Sequence, residues 1–248
     1  MHEEEGMEAD RWGQRSLRGA RVPTVVLTLA AEMGVAPVLA WHNELGGMTF
    51  ALGTDRYVKW NPLTTGVDLA RERDRLRWLE GRHPAPRVLA WGEDAEAQWL
   101  VTAALDGDVA VGMPWRERRA EAIAAIAAGL RALHAVSIAD FPAGLTASSW
   151  VGRRPANLGD APPIEDLVLV HGDACAPNTL ITADGAWTGN VDFGDLAVGD
   201  RWADLAVASL SLDWNFGEGH QDELFEAYGI QRDEERIRYY RALWEQES

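Results

Sequence analysis

The chain has little cysteine, little lysine, a deficit of positive charge and no long uninterrupted apolar run. Its single cysteine, Cys175, excludes an internal disulfide framework and a thiolate zinc cluster. The 23 basic residues face 39 acidic ones, for a formal charge of −16. Such a chain repels phosphate backbones and anionic lipid, so nucleic acid and membrane surfaces are poor partners and a cationic one is favoured. The most apolar stretch, Val22 to Trp41, contains Pro23, Glu32 and Pro37 and cannot make a clean spanning helix. The opening MHEEEG carries acid where a secretory signal carries base, and no apolar segment follows. These absences predict a soluble, cytoplasmic protein.

What is present is ordinary globular material. The 248 residues are 47% hydrophobic and 25% charged, enough for one large domain or two small lobes sharing a cleft. Among the basic residues Lys59 is the sole lysine. High-GC coding explains a preference for Arg but not the one exception. Lys and Arg exchange freely on a solvated face, yet not where a compact, mobile ammonium is needed. Lys59 is therefore either a leftover surface residue or a functional one.

Residues 1–20 are strongly charged and aperiodic, which predicts a frayed or loosely docked start. Gly46-Gly47 interrupts one extended segment, and Gly53 to Asp55 turns the chain into a second, Arg56 to Trp60, with Lys59 between apolar neighbours. Val67 to Glu80 has the spacing of an amphipathic helix that buries Leu69, Leu76 and Leu79 and ends at Gly81. Strands are expected at Pro86 to Trp91 and Gln98 to Ala103, joined by an acidic turn.

Composition then changes. Arg116 to Val136 is an Ala-rich core helix with Ile123, Ile126, Leu130 and Leu133 on one face. Phe141 to Asp166, rich in Gly, Pro, Ala and Ser, predicts loop. Leu167 to Val170 is a short apolar strand, a turn follows at Asp184-Gly185, and Glu223 to Glu247 is largely helical with a break at Gly229. There is no internal repeat.

The chemistry concentrates in His171-Gly172-Asp173, Asn178 and Asp192-Phe193-Gly194. Each alone is weak. In order, an Asp, an Asn five positions on, and an Asp-Phe-Gly one hairpin later match the protein-kinase signature set. Phosphoryl transfer from ATP is stabilised by position and charge, and Mg²⁺ wants oxygen ligands. Asp192 supplies a carboxylate and Asn178 a neutral amide oxygen, which limits negative charge near the triphosphate. Asp173 then orients the acceptor hydroxyl and takes its proton. His171 either buttresses this loop or titrates. Lys59 can reach the α- and β-phosphates, and Glu72 can pair with it, although Glu80 lies on the same helix. Gly46 and Gly47 would lie over the phosphates or form a plain hairpin turn. The backbone of Ala103 to Leu105 is where an adenine would pair.

These residues resemble the aminoglycoside phosphotransferases, particularly the 3′-phosphotransferase (kanamycin/neomycin kinase) branch. The likeness is carried by YVKW at 57–60, Glu72 with RLRWL at 75–79, LRALH at 130–134 and HGDACAPNTL at 171–180. VDFG at 191–194, DRWADLA at 200–206, YGI and RIRYYRAL extend it across nearly the whole chain from Trp41. The resemblance implies an α+β, two-lobed, protein-kinase-like fold. Its N-terminal nucleotide-binding lobe of antiparallel sheet plus helix spans 1–104. Its mainly helical catalytic and acceptor-binding lobe spans 105–248. It also implies ATP- and Mg²⁺-dependent transfer of the γ-phosphate to a hydroxyl of an aminoglycoside. Lys59 then contacts phosphate with Glu72 orienting it, Asp173 is catalytic, and Asn178 and Asp192 hold Mg²⁺. Asp200, Arg201 and Asp204 support the loop. A monomer or weak dimer acting on a small polycationic acceptor is expected.

Three departures fall on acceptor recognition. The 134–167 segment is short for the family, the position three after the metal Asp is Asp195 instead of the usual Arg, and the C-terminus is Trp244-Glu245-Gln246-Glu247-Ser248. Trp214-Asn215-Phe216 stands where relatives tend to be acidic. Glu245, Trp214, Asn215 and Trp244 are thus the candidate acceptor contacts, with helix packing as the alternative for the tryptophans. The acids Glu218, Asp222, Glu223 and Glu226 either attract a polycation or form a solvated face. Cys175 lacks a base partner and is expected to pack. A kinase for another amino sugar or hydroxylated metabolite stays open, as does a non-catalytic nucleotide binder on the same scaffold. A metal phosphoesterase would need more His and Asp ligands than surround the HGD segment.

Overall fold

A computed structural model describes residues 21–43, 45–164 and 166–247. The predicted loose start at 1–20 lies outside the described residues. The chain forms two compact units, the first running to Ala70 and including Val88–Ala104, the second comprising Arg71–Arg87 and everything from Leu105.

In the first unit, helix α1 (Thr24–Glu32) precedes strands β1 (Pro37–His42), β2 (Met48–Leu52), β3 (Arg56–Pro62), β4 (Val88–Glu93) and β5 (Ala97–Ala103). The strands form one antiparallel sheet in the order β1-β2-β3-β5-β4. Val26 and Ala30 of α1 join Met48, Phe50, Leu52, Val58 and Val101 in its core. The predicted turn is the β2–β3 hairpin, where Gly53 takes the left-handed conformation (φ 65°) that other residues resist. Val22–Trp41, expected only not to span a membrane, divides between α1 and β1. Pro23 stands just before α1 and Pro37 opens β1, both positions that need no ladder or helix N–H.

The second unit begins with α2 (Leu69–Leu79), most of which groups with it and not with the sheet. A single boundary after residue 104 therefore does not describe the division. The physical reason is Arg75, whose guanidinium bonds to second-unit partners: Leu196 O (2.9 Å), Leu145 O (2.9 Å), Ser148 Oγ (2.8 Å) and Gly194 O. Leu69, Leu76 and Leu79 are buried, as their spacing predicts.

Beyond Leu105 come β6 (Asp108–Val109), α3 (Met113–Glu117), α4 (Arg119–His134) and α5 (Ala143–Ala147). They are followed by β7 (Leu167–Val170), β8 (Thr179–Ile181), β9 (Trp187–Asn190) and β10 (Ala197–Asp200), then α6 (Trp202–Phe216), α7 (Gln221–Tyr228) and α8 (Glu234–Glu247). β7 pairs with β10, and β6, β8 and β9 form a second small sheet. α4 buries Ile123, Ile126, Leu130 and Leu133, and α6 is buried along most of its length. Gly229, left-handed at φ 88°, ends α7 as expected.

The 141–166 segment is more structured than loop. It holds α5 and 3₁₀ turns at Trp150–Gly152 and Ala156–Leu158, and Trp150 and Val151 are buried. Val151 packs where Gly199 leaves room, and the Trp150 indole donates to Gly172 O at 2.6 Å. Among the described residues no helix is long and apolar enough to cross a membrane.

Candidate active site

The site builds outward from the end of β7. After Val170 the chain enters a loop whose first two amides are captured by one carboxylate. Asp204 Oδ2 accepts from His171 N (2.7 Å) and Asp204 Oδ1 from Gly172 N (2.9 Å). Asp204 is wholly buried, and His134 Nε2 also lies 3.0 Å from its Oδ2. Three partners offset the cost of burying that charge. Gly172 is left-handed (φ 82°), and a Cβ there would overlap the Asp195 carbonyl. The two loops that carry Asp173 and Asp192 therefore touch at backbone level.

His171 is held by bonds that leave no role as a free base. Its Nε2 donates to Val191 O (2.9 Å), and its Nδ1 accepts from Asp173 N (3.3 Å). Its ring packs on Phe193 with centroids 4.6 Å apart. The buttressing role is the one this geometry fits.

Asp173 is followed by a 3₁₀ turn, Ala176–Asn178, that returns Asn178 to it. Asn178 Nδ2 donates to Asp173 Oδ2 (3.0 Å) and to Asp173 O (2.9 Å). Asp173 Oδ1 is buried and has no hydrogen-bond partner. Burial first, then the charge of Asp192, raises the Asp173 pKa above the usual carboxylate range. Asp192 follows β9 and is the one non-glycine with positive φ (65°) among the described residues, a strained conformation for a side chain meant to hold one direction. Asp195, three positions on, is pushed up to about 6 by burial, while Arg75 opposes the shift and Asp173 and Asp192 add to it. Burial, with Asp173 next, raises the Cys175 thiol well above its ordinary value, so Cys175 is inert packing as expected.

The Asp192 charge disfavours ionisation of Asp173 and Asp195, a setting a divalent cation would relieve. Asp192 and the Asn178 amide oxygen are hard donors of the kind Mg²⁺ takes. Among the described residues no three or more His, Cys, Asp or Glu side chains form a metal-holding group. Asn178 and Asp192 would suit a hard cation that takes its other ligands from phosphate and water.

The other expected residues divide by unit. Lys59 is half-buried on β3, paired in register with Thr49 and Leu100. Gly46 (φ 97°) and Gly47 turn the chain between β1 and β2, with Gly47 N donating to Asn43 Oδ1 at 2.7 Å. A Cβ on Gly47 would overlap the Asn61 amide, so a larger residue there would have to displace that side chain. Ala103 ends β5, and the next amide, Ala104 N, is taken by Asp55 O (2.8 Å). In the second unit Glu72 is buried on α2, and Leu105 is half-buried at the unit's first residue after the sheet.

Trp214 and Trp244 meet, with ring centroids 5.8 Å apart, Trp214 exposed and Trp244 half-buried. Glu245 beside them is exposed. Asn215 departs from its expected place among acceptor contacts. It is buried, and its amide donates to Ser211 O (2.6 Å) and Ser211 Oγ (3.1 Å). Ser211 Oγ in turn accepts Ala176 N (2.9 Å), so Asn215 braces the catalytic loop from behind. Of the expected support triplet Asp204 holds the loop directly, whereas Asp200 accepts Trp202 N (3.1 Å) and binds Arg236 (3.0 Å), and Arg201 pairs with Asp166.

The sequence profile of the phosphotransferase enzyme family matches residues 47–157 and 153–240. An aminoglycoside 3′-phosphotransferase of Streptomyces fradiae is 34% identical over 220 residues, covering 73% of this chain and 81% of that one. The chain belongs to the aminoglycoside phosphotransferase family.

This phosphotransferase is also similar to the streptomycin 3″-kinase of Streptomyces griseus, at 33% identity over 80% of this chain and 87% of the relative. A solved type VIII aminoglycoside-3′-phosphotransferase superposes with TM-score 0.67 at 28% identity, covering 84% of this chain and 92% of that one. The structure of the phosphotransferase APH(3″)-Id from Streptomyces rimosus with ADP and streptomycin gives 0.65 at 26%, over 89% and 96%. The two-lobed kinase-like fold, an N-terminal five-stranded antiparallel sheet followed by a largely helical part, is thus the family's fold.

Arg75 and Trp150 were not among the expected functional residues. Arg75 lies in the quoted RLRWL, but a charged helix of this kind reads as a solvated face. Its near-complete burial, at 2% exposure, is what distinguishes it.

Proposed function

We propose that this phosphotransferase moves the γ-phosphate of ATP, with Mg²⁺, to a hydroxyl of an aminoglycoside antibiotic and so confers resistance. The observation that carries this reading is the joining of Asp173 to Asn178 by two hydrogen bonds, with Asp192 close enough to raise the Asp173 carboxyl. Asp173 orients the acceptor hydroxyl and takes its proton as the oxygen attacks phosphorus and ADP leaves. Its raised affinity for a proton suits that task.

Asn178 and Asp192 would hold Mg²⁺, which when bound neutralises phosphate charge. Lys59 supplies the ammonium for the α- and β-phosphates, and Glu72 orients it. The Gly46-Gly47 turn lies over the phosphates, and the backbone of Ala103 and Leu105 receives the adenine. Trp214, Trp244 and Glu245 offer an aromatic face and one carboxylate to the acceptor, and the net charge of −16 favours a polycation.

Relatives named for both 3′ and 3″ chemistry support the aminoglycoside class without choosing the hydroxyl. The test is Mg²⁺-dependent ADP release with kanamycin, neomycin, streptomycin and glucosamine offered separately. Turnover with an antibiotic is expected. Turnover with glucosamine alone would make this an amino-sugar kinase, and nucleotide binding with no turnover on any acceptor would leave a binder.

A further inference from the structure

The loop after Asp192 has three successive backbone carbonyls taken by two side chains from elsewhere. Arg75 donates to Gly194 O and, through Nε, to Leu196 O at 2.9 Å, while Ser149 Oγ donates to Asp195 O at 2.9 Å. The same Arg75 holds Leu145 O and Ser148 Oγ, which ties α2 to the 145–150 turn. That turn also reaches the other loop, because the Trp150 indole donates to Gly172 O, the residue before Asp173. One bracket therefore grips both loops that carry the site.

From this geometry we infer that Arg75 is a positioning residue for the cation site. With Ser149 it holds the 194–196 backbone so that Asp192 keeps its strained left-handed conformation and its carboxylate stays aimed. A guanidinium suits the task, because its rigid fork satisfies four acceptors on two segments and stays charged when buried. Buried carbonyls need donors, and without Arg75 those of Gly194 and Leu196 would lose the ones it supplies. Arg75 lies one helical turn after Glu72, so the same clamp holds the face of α2 that carries Glu72. Helix and loop are thus locked together in the fold.

The inference rests on the phosphotransferase reading, since it takes Asn178 and Asp192 as cation ligands. The test is calorimetric titration of ADP across a Mg²⁺ series with wild type, Arg75→Lys, Arg75→Met and Ser149→Ala, alongside thermal melts. Outer-shell changes of this kind cost about 10–100-fold in metal affinity. We expect that rise in the Mg²⁺ needed for half-maximal enhancement of ADP binding in Arg75→Met. Arg75→Lys should recover part of it, and Ser149→Ala should shift it less but in the same direction. ADP affinity without Mg²⁺ should not move. A lowered melting point with wild-type Mg²⁺ dependence would reduce Arg75 to a structural residue and overturn the inference. If the Arg75 variants do not fold, wild-type Mg²⁺ dependence in Ser149→Ala overturns it equally. Failure of wild type itself to bind ADP with Mg²⁺ would defeat the phosphotransferase reading, a result the variants cannot mimic.

Discussion

Asn178 donates its amide to Asp173 twice, at 3.0 Å to Oδ2 and at 2.9 Å to the backbone carbonyl. That bond turns both amide hydrogens toward the Asp173 side and leaves the amide oxygen as the donor atom for a hard cation. The asparagine thereby couples two tasks. In the proposed reaction it would fix the carboxylate that takes the proton and would present oxygen to the cation that balances the phosphates. A carboxylate at position 178 could not do this, because it has no hydrogen to give Asp173 and would add charge to a cluster already crowded with it.

Asp173→Ala is therefore expected to abolish turnover while ADP binding persists, and Asn178→Asp to weaken both. Loss of a positioned general base costs about 10²–10⁴ in rate. ADP release with the acceptor that works for wild type, set beside ADP calorimetry, checks this. Equal turnover in Asp173→Ala would remove Asp173 from the mechanism.

Lys59 is the only lysine in the chain and stands half-buried between Thr49 and Leu100 in the sheet. Lys59→Arg keeps the charge but replaces a point ammonium with a planar fork. A fall of about 10²-fold in kcat/KM is expected, the size seen when one preorganised electrostatic donor is lost. Wild-type kinetics in this variant would make the lone lysine an accident of composition.

Much of this was legible in the sequence, and the reason is local spacing. Asp173, Asn178 and Asp192 are set by one strand, one turn and one hairpin, so their order along the chain survives folding. The strand around Lys59 and the buried faces of α2 and α4 follow from periodicity alone. Arg75, Trp150 and Asn215 were illegible for the opposite reason. Their partners are backbone carbonyls and hydroxyls, and a backbone acceptor leaves no residue-type signal. In the run LARERDRL nothing marks Arg75 as the arginine that goes inside. The loop reading of 141–166 failed similarly, because its Gly, Pro and Ser content predicts turns but not that Trp150 plugs the catalytic loop. The division of Val22–Trp41 could have been found, since Pro23 and Pro37 punctuate it.

Asp204 carries three partners on one buried carboxylate, namely His171 N, Gly172 N and His134 Nε2. Asp204→Ala strands all three, and buried unsatisfied groups cost about 1–3 kcal/mol each. A loss of at least about 3 kcal/mol is expected in urea unfolding monitored by tryptophan fluorescence. His134→Gln, which can still donate to Asp204, should cost less. If Asp204→Ala unfolds at the wild-type midpoint, the carboxylate does not hold this loop.

Two buried groups give the stability a pH signature in which they oppose one another. Burial lowers the pKa of His83 to about 4, and its Nε2 lies 3.1 Å from Asn190 Oδ1, which accepts from the neutral ring. The unfolded chain binds the proton at about 6.5, so between 6.5 and 4 the unfolded state takes up more protons. His83 therefore makes stability fall as pH falls through that window, by up to about 3 kcal/mol. Asp195 has the reverse sign. Burial raises it to about 6, so the folded state holds the extra proton, and its contribution is full below about 4 and lost as pH rises through 6. Asp173, also raised, adds in that second sense. Unfolding by urea between pH 4 and 7, without nucleotide or Mg²⁺, should thus change little for wild type. His83→Gln should turn the slope downward with rising pH, since only the carboxyl contributions remain. Asp195→Asn should turn it upward, since the His83 contribution is then less opposed. Parallel pH profiles for the two variants would mean that neither group titrates with folding, and the opposition inferred from their burial would be wrong.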